Sequence, residues 1–306
     1  MKILVATDKP FAAIAVEGIK KELDKAGIEM ILLEKYGEKS KLIEAIADVD
    51  GVIVRSDILD AEVLNAAKKL KIAVRAGAGY DNIDLATATA NGVCVMNTPG
   101  QNSNAVAELV FGMAVMLVRN FYNGTSGTEL KGKKLGIHAF GQVGRNVARI
   151  AKGFGMEVYA FDPYCPTEAI EAEGVKPITD INEMYSTCQY ISLHIPATPE
   201  TKKSINYNLL KQMPKGAVLI NTARKEVIDE EELVKLMEDR ADFKYISDIK
   251  PDNASVFAEK FEGRYFFTPK KMGAQTAEAN INAGIAAAKQ SVGFLKEGID
   301  KFKVNK

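Results

Sequence analysis

Two lysines stand side by side in FFTPKKMGAQT, residues 266–276, between a Thr-Pro turn and a Gly-Ala pair. Lys270 and Lys271 close what reads as a buried strand, because Phe266, Phe267 and Met272 around them are apolar. The chemistry open to such a group is proton transfer. A lysine begins near ~10.4 and becomes a general base only when that value is lowered. An apolar wall and a neighbouring cation both disfavour the ammonium.

A second set of residues is fit to hold phosphate. KKLGIHAFGQVGRNVARIAKGFGMEVYAFDPY, 133–164, reads as strand, tight turn, helix from about Gln142, and second strand. The turn is Ala139-x-Gly141-x-x-Gly144. Gly141 lets the backbone approach a pyrophosphate seated on the helix N-terminus, and Gly144 permits close helix–strand packing. The first motif position is Ala rather than Gly, and a methyl group there is a small perturbation. The second strand ends in Asp162, whose carboxylate accepts from a ribose diol and repels a 2′-phosphate. The expected cofactor is therefore NAD rather than NADP.

The elements that position these groups follow one rhythm. KILVAT, MILLE, GVIVRS, IAVRAG and VCVMN read as strands in the first third, and KLGIHAF, EVYAFD, YISLHI, AVLINTA, YISDI and YFFTP after Lys133. Amphipathic stretches such as AAIAVEGIKKELDKAG lie between them. Continuous apolar strands alternating with helices mean parallel sheets covered on both faces. The fold class is α/β, with two doubly wound parallel-sheet domains of the Rossmann and flavodoxin kind. The polar turn cluster NTPGQNSNA, 97–105, marks a boundary. The last 30 residues read as one helical pattern, which has to cover one of the two domains.

Composition narrows the class. The 306 residues are 47% hydrophobic and carry 40 basic and 40 acidic side chains, so no global field draws nucleic acid or anionic lipid. The apolar run AVAELVFGMAVMLV, 105–118, is short for a bilayer and reads as a buried or interface helix. Cys94, Cys165 and Cys188 are scattered and form no metal or disulfide pattern. With no leader pattern at the N-terminus, the cytoplasm is the expected setting.

Three further stretches end or follow strands: RAGAGYDNID (75–84), INTARKEVIDEEEL (220–233) and TPKKMGAQT (268–276). Ligands gather at the C-terminal ends of strands in such sheets. Together with the dinucleotide turn, and with NTPGQN, LHIPATPETK and DEEEL, they resemble the D-2-hydroxyacid dehydrogenase family over essentially the whole chain. The match is best to the branch that oxidises 3-phosphoglycerate on the way to serine, in a short form without a regulatory extension. The resemblance implies hydride transfer between C2 of a phosphorylated 2-hydroxy acid and NAD, and a homodimer held through helix 103–119. It implies a discontinuous substrate domain, 1–98 plus 282–306, with the dinucleotide domain, 99–281, inserted and the active site in the cleft.

Residue by residue, the resemblance makes Arg224 the arginine that clamps the substrate carboxylate. Asp248 falls on the position that contacts the nicotinamide carboxamide. Gln142, Val143, Ile195, Pro196, Thr222, Ala223, Gly273 and Ala274 match other cofactor positions, beside Gly141, Gly144 and Asp162. Ala76, Gly77 and Ala78 are expected to offer backbone N–H groups as a small nest, with Ala78 also next to the cofactor. Arg55 and Ser56, at a strand end, are expected to hold the phosphate, and Asn102 to add a donor. No metal is implied.

The chain departs from the family at its acid/base pair, a histidine with a glutamate. Its two histidines, His138 and His194, fall elsewhere. Counting back from Gly273 puts Lys271 at the histidine position; counting forward from Thr268-Pro269 chooses Lys270. The Gly-Ala turn is the nearer to the cofactor, which favours Lys271. The glutamate position is Asn253, with Asp252 adjacent. The two changes agree chemically, because a carboxylate partner would raise a lysine that must be lowered. Two rivals stay open. One is a dehydrogenase of glycerate or hydroxypyruvate. The other is an NAD-binding regulator without catalysis.

Overall fold

Residues 1–305 are described in a computed structural model, and they divide into two compact units. The first is Met1–Asn102 with Gln275–Lys306, and the second is Ser103–Ala274.

In the first unit β1 (Lys2–Thr7), α1 (Ala13–Lys25), β2 (Glu29–Glu34), α2 (Lys39–Ile46), β3 (Gly51–Val54), α3 (Ala61–Ala66), β4 (Ile72–Arg75), α4 (Leu85–Ala90) and β5 (Cys94–Asn97) alternate along the chain. The five strands are all parallel, in the order β2-β1-β3-β4-β5, the flavodoxin-like arrangement. Val52, Ile53 and Val54 are wholly buried, as a strand covered on both faces requires.

The second unit opens with α5 (Ser103–Val118) and continues β6 (Lys134–His138), α6 (Gln142–Gly153), β7 (Glu157–Phe161), α7 (Thr167–Glu171), β8 (Lys176–Pro177), α8 (Ile181–Thr187) and β9 (Tyr190–Leu193). It ends with α9 (Tyr207–Leu210), β10 (Val218–Asn221), α10 (Glu230–Asp239), β11 (Lys244–Ser247), α11 (Ala254–Lys260) and β12 (Tyr265–Phe267). The seven parallel strands run β12-β11-β10-β9-β6-β7-β8, which is a Rossmann order extended by one edge strand. The strand order reverses between β6 and β9, and that switch point is where such a sheet binds its ligand.

α12 (Ala277–Glu297) returns to the first unit and packs on α1. Glycines let the two helices approach: a Cβ on Gly18 would meet Ile285 at 2.7 Å, and one on Gly284 would meet Ile19 at 3.0 Å. The helical pattern expected to fill the last 30 residues stops at Glu297. Gly298 takes a left-handed φ of 71° and sends its N–H back to Phe294, a C-terminal stop that only glycine adopts freely. The chain then returns to β5, where Asn305 accepts from Val95 N (2.7 Å) and donates to Val93 O (2.9 Å).

Among the described residues no helix is long and apolar enough to cross a membrane, and no group of ligands could hold a metal.

Candidate active site

The expected residues of the second unit all lie at or beyond the C-terminal ends of its strands. The β6–α6 turn is built as a phosphate cradle. A Cβ on Gly144 would come within 2.4 Å of Ala139 O, so only glycine lets the helix pack this closely. A Cβ on Gly141 would meet nothing within 4 Å, which leaves open space over the turn. Gly141 is the N-cap of α6 and no side chain caps it, so the first N–H groups of the helix face outward. Asp162 follows β7, and its Oδ2 accepts from Phe140 N at 2.8 Å, which ties the carboxylate to the turn. Gln142 and Val143 begin the helix beside it. These residues fit a dinucleotide pyrophosphate and ribose.

The turn after β10 carries Thr222, Ala223 and Arg224. Asn221, wholly buried, braces it from beneath: Nδ2 donates to Arg224 O (3.0 Å) and Oδ1 accepts from Ala223 N (2.9 Å). Arg224 Nη1 donates to Ala223 O at 3.0 Å. Lys271 Nζ donates to the same carbonyl at 3.1 Å. The guanidinium and the ammonium nominated from sequence, 47 residues apart in the chain, thus meet on one acceptor. Lys270 and Lys271 are both exposed, so the apolar wall expected around Lys271 does not enclose it.

Asp248 follows β11 with 0% exposure. Its Oδ1 accepts from Thr268 Oγ1 (3.0 Å) and Met272 N (2.7 Å), and its Oδ2 from Gly273 N (2.7 Å). The carboxylate is therefore already tied to the loop that carries the lysines. Asp252, beside the position of the family glutamate, pairs with Lys225 at 2.6 Å, and Asn253 Nδ2 donates to Glu230 O at 3.0 Å. Burial raises the Glu230 carboxyl.

Each of the two histidines has a hydroxyl neighbour. His138 Nδ1 lies 3.3 Å from Tyr185 Oη, and burial pushes the ring down to about 4. His194 Nε2 lies 2.9 Å from Ser192 Oγ and Nδ1 3.5 Å from Thr222 Oγ1; burial, then the nearby His138, pushes it down to about 3. Both are neutral at pH 7. Ile195 and Pro196 follow His194, buried and exposed respectively.

In the first unit Arg55 and Ser56 follow β3 and Ala76, Gly77 and Ala78 follow β4, while Asn102 closes the turn after β5. The nest reading needs correction. Ala76 N donates to Val54 O (2.8 Å) and Gly77 N to Arg75 O (2.9 Å), so two of the three amides are consumed by the main chain. Arg75, which the sequence reading passed over, closes on Arg55: its Nε donates to Arg55 O at 2.9 Å. Gly77 has a φ of 155°, which favours glycine, and the Arg75 guanidinium folds over the space a Cβ would take. Burial and then the charge of Arg55 lower Arg75. The signal was an arginine ending the apolar strand IAVR. Asn221 was missed likewise, a lone polar residue closing VLIN.

Residues 105–257 match the family model described as D-isomer specific 2-hydroxyacid dehydrogenase, NAD binding domain. The chain belongs to this family. It is 35% identical over 301 residues to D-3-phosphoglycerate dehydrogenase of Methanocaldococcus jannaschii, covering 90% of this chain and 56% of that protein. It thus spans about half the length of that relative. Hydroxypyruvate reductase of Thermotoga maritima is 33% identical over 274 residues, covering 84% of this chain and 88% of that protein. A crystal structure of NAD+-bound 3-phosphoglycerate dehydrogenase of Entamoeba histolytica superposes with a TM-score of 0.86 at 50% identity, covering 100% of this chain and 99% of that one. The cradle at Gly141–Gly144 and Asp162 lies inside the matched NAD-binding region.

Proposed function

We propose that the chain oxidises D-3-phosphoglycerate to 3-phosphohydroxypyruvate, with Arg224 orienting the substrate and Lys271 moving the proton. The meeting of Arg224 and Lys271 on the Ala223 carbonyl carries this reading. Arg224 pairs its planar fork with the substrate carboxylate and draws on the C2 oxygen. Neutral Lys271 takes the C2 hydroxyl proton during oxidation, and its ammonium returns that proton to the C2 oxygen during reduction. NAD, when bound in the cradle at Gly141 and Asp162, supplies the hydride acceptor. Ile195, Pro196, Thr222, Gly273 and Ala274 would flank it.

Two observations support a phosphorylated substrate over glycerate. Arg55 and Arg75 gather two guanidiniums at adjacent strand ends, a concentration of charge that suits a phosphate dianion. The Methanocaldococcus and Entamoeba relatives bear the phosphoglycerate dehydrogenase name. The Thermotoga hydroxypyruvate reductase, matched over most of its own length, favours a second reading in which the substrate lacks phosphate.

The test is NADH absorbance with 3-phosphoglycerate and, separately, with hydroxypyruvate. Lys271→Met is expected to lower turnover by about 10²–10⁴-fold while NADH still binds. Arg55→Ala is expected to weaken the phosphorylated substrate far more than its unphosphorylated analogue. Near-normal turnover of Lys271→Met removes the proton-transfer role, and equal losses on both substrates with Arg55→Ala remove the phosphate assignment.

A further inference from the structure

We propose that Asp248 is a positioning residue for Lys271, clamping the loop that carries it. The inference rests on Lys271 being the proton-transfer group and deepens that reading. The resemblance assigned Asp248 to the nicotinamide, but its carboxylate already has three protein donors.

Thr268 and Met272–Gly273 bracket the tripeptide Pro269-Lys270-Lys271, and all three bracketing residues bond to Asp248. Thr268 Oγ1 and Met272 N share one oxygen, and Gly273 N takes the other. Thr268 N is held as well, by Ser247 O at 3.1 Å. The tripeptide itself is exposed and carries two like charges, so its own chemistry favours an open, solvated loop. Both ends are instead fixed to one buried anion through short charge-assisted bonds. Gly273 is part of the device, because a Cβ there would stand 2.9 Å from Asp248 Oδ2 and 3.2 Å from Val106. From this fixed base Lys271 reaches across to Ala223 O, next to Arg224. The carboxylate acts on the reaction by fixing where Nζ stands.

Asp248→Asn separates the two roles. The amide keeps the volume but turns an N–H group toward main-chain N–H groups that need an acceptor. Thr268→Val removes one donor without touching Asp248, and Thr268→Ser restores it. The measurements use the full chain: kcat and KM with 3-phosphoglycerate, NADH affinity by fluorescence, and hydrogen exchange of the 268–274 segment. The clamp predicts that Asp248→Asn lowers kcat by about 10²-fold. Thr268→Val is expected to lower it by about tenfold and Thr268→Ser to return it to wild type. NADH affinity stays within a small factor throughout, and the Met272 and Gly273 amides exchange faster in Asp248→Asn and Thr268→Val. Unchanged exchange in Asp248→Asn overturns the clamp. So does a result in which Asp248→Asn weakens NADH binding by about tenfold or more while Thr268→Val keeps wild-type kcat; Asp248 then serves the cofactor. Turnover retained in Lys271→Met fails the proton-transfer reading separately, because hydrogen exchange tests the clamp without any turnover.

Discussion

Asn221 spends its whole side chain on the turn that presents Arg224. Its amide bridges Ala223 N and Arg224 O, and its own carbonyl takes Asp248 N at 2.9 Å and Ser247 Oγ at 3.2 Å. Its side chain therefore braces the turn after β10 that presents Arg224, and its main-chain carbonyl joins that turn to the end of β11, where the loop clamp sits. Asn221→Ala removes one buried and one part-buried bond and leaves a donor and an acceptor of the main chain without these partners. We expect a loss of about 1–3 kcal/mol in stability. We also expect kcat/KM to fall by about 10²-fold, since a displacement near 1 Å at a substrate clamp has that effect. Steady-state kinetics and urea unfolding check both numbers. Wild-type kcat/KM in a folded Asn221→Ala protein would show that the turn holds its shape unaided. Arg224 was legible in the sequence because an arginine after VLINTA stands at a strand end. Asn221 was not, because the pattern of a buried strand does not say which of its polar residues turns back on the main chain.

At the scale of elements, short apolar runs bounded by turn residues made eleven of the strands readable, and the two-residue edge strand β8 was missed because Lys176–Pro177 carries no apolar run. The end of α12 was less readable, because glycine within an amphipathic pattern stops a helix only when the chain beyond it finds partners, as Asn305 does on β5. The β6–α6 turn shows what the motif reading lacked. Ala139 stands where the fingerprint has its first glycine, and it adopts φ 79°, the left-handed region. The obstacle is thus one of conformation as well as bulk. Ala139 N stays bonded to Phe161 O at 2.9 Å, which holds the residue in place against its preference. A left-handed L-residue costs roughly 1–2 kcal/mol. Glycine relieves this but gains about 0.4–1 kcal/mol of unfolded-state entropy. Ala139→Gly is therefore expected to stabilise the second unit, by at most about 1.5 kcal/mol. A denaturant midpoint that falls in Ala139→Gly would contradict the strain argument.

At the scale of the whole molecule, acid should act first through the second unit, where His138 is buried at the end of β6 and the partly buried His194 directly follows the neighbouring β9. β6 pairs with β9, and His194 N donates to His138 O at 2.9 Å. Folded His138 titrates near 4 and His194 near 3, against an ordinary value of 6.5. The folded values are depressed, so the unfolded chain takes up protons first as pH falls. Stability from these groups is complete above about 6.5 and is lost progressively as pH drops toward the folded values. At pH 5 the loss is about 2 kcal/mol for each ring as an order of magnitude. A second acid step has a different origin: Arg240 holds Asp242 down to about 2, so its contribution persists until pH falls below the ordinary carboxylate value of 3.8. Urea unfolding of the full chain should show its midpoint declining from pH 7 to 5, well before carboxylates titrate. In His138→Gln/His194→Gln that upper decline should flatten while the loss below pH 4 remains. An equally steep decline between pH 7 and 5 in the double variant would assign the acid sensitivity to groups other than this pair.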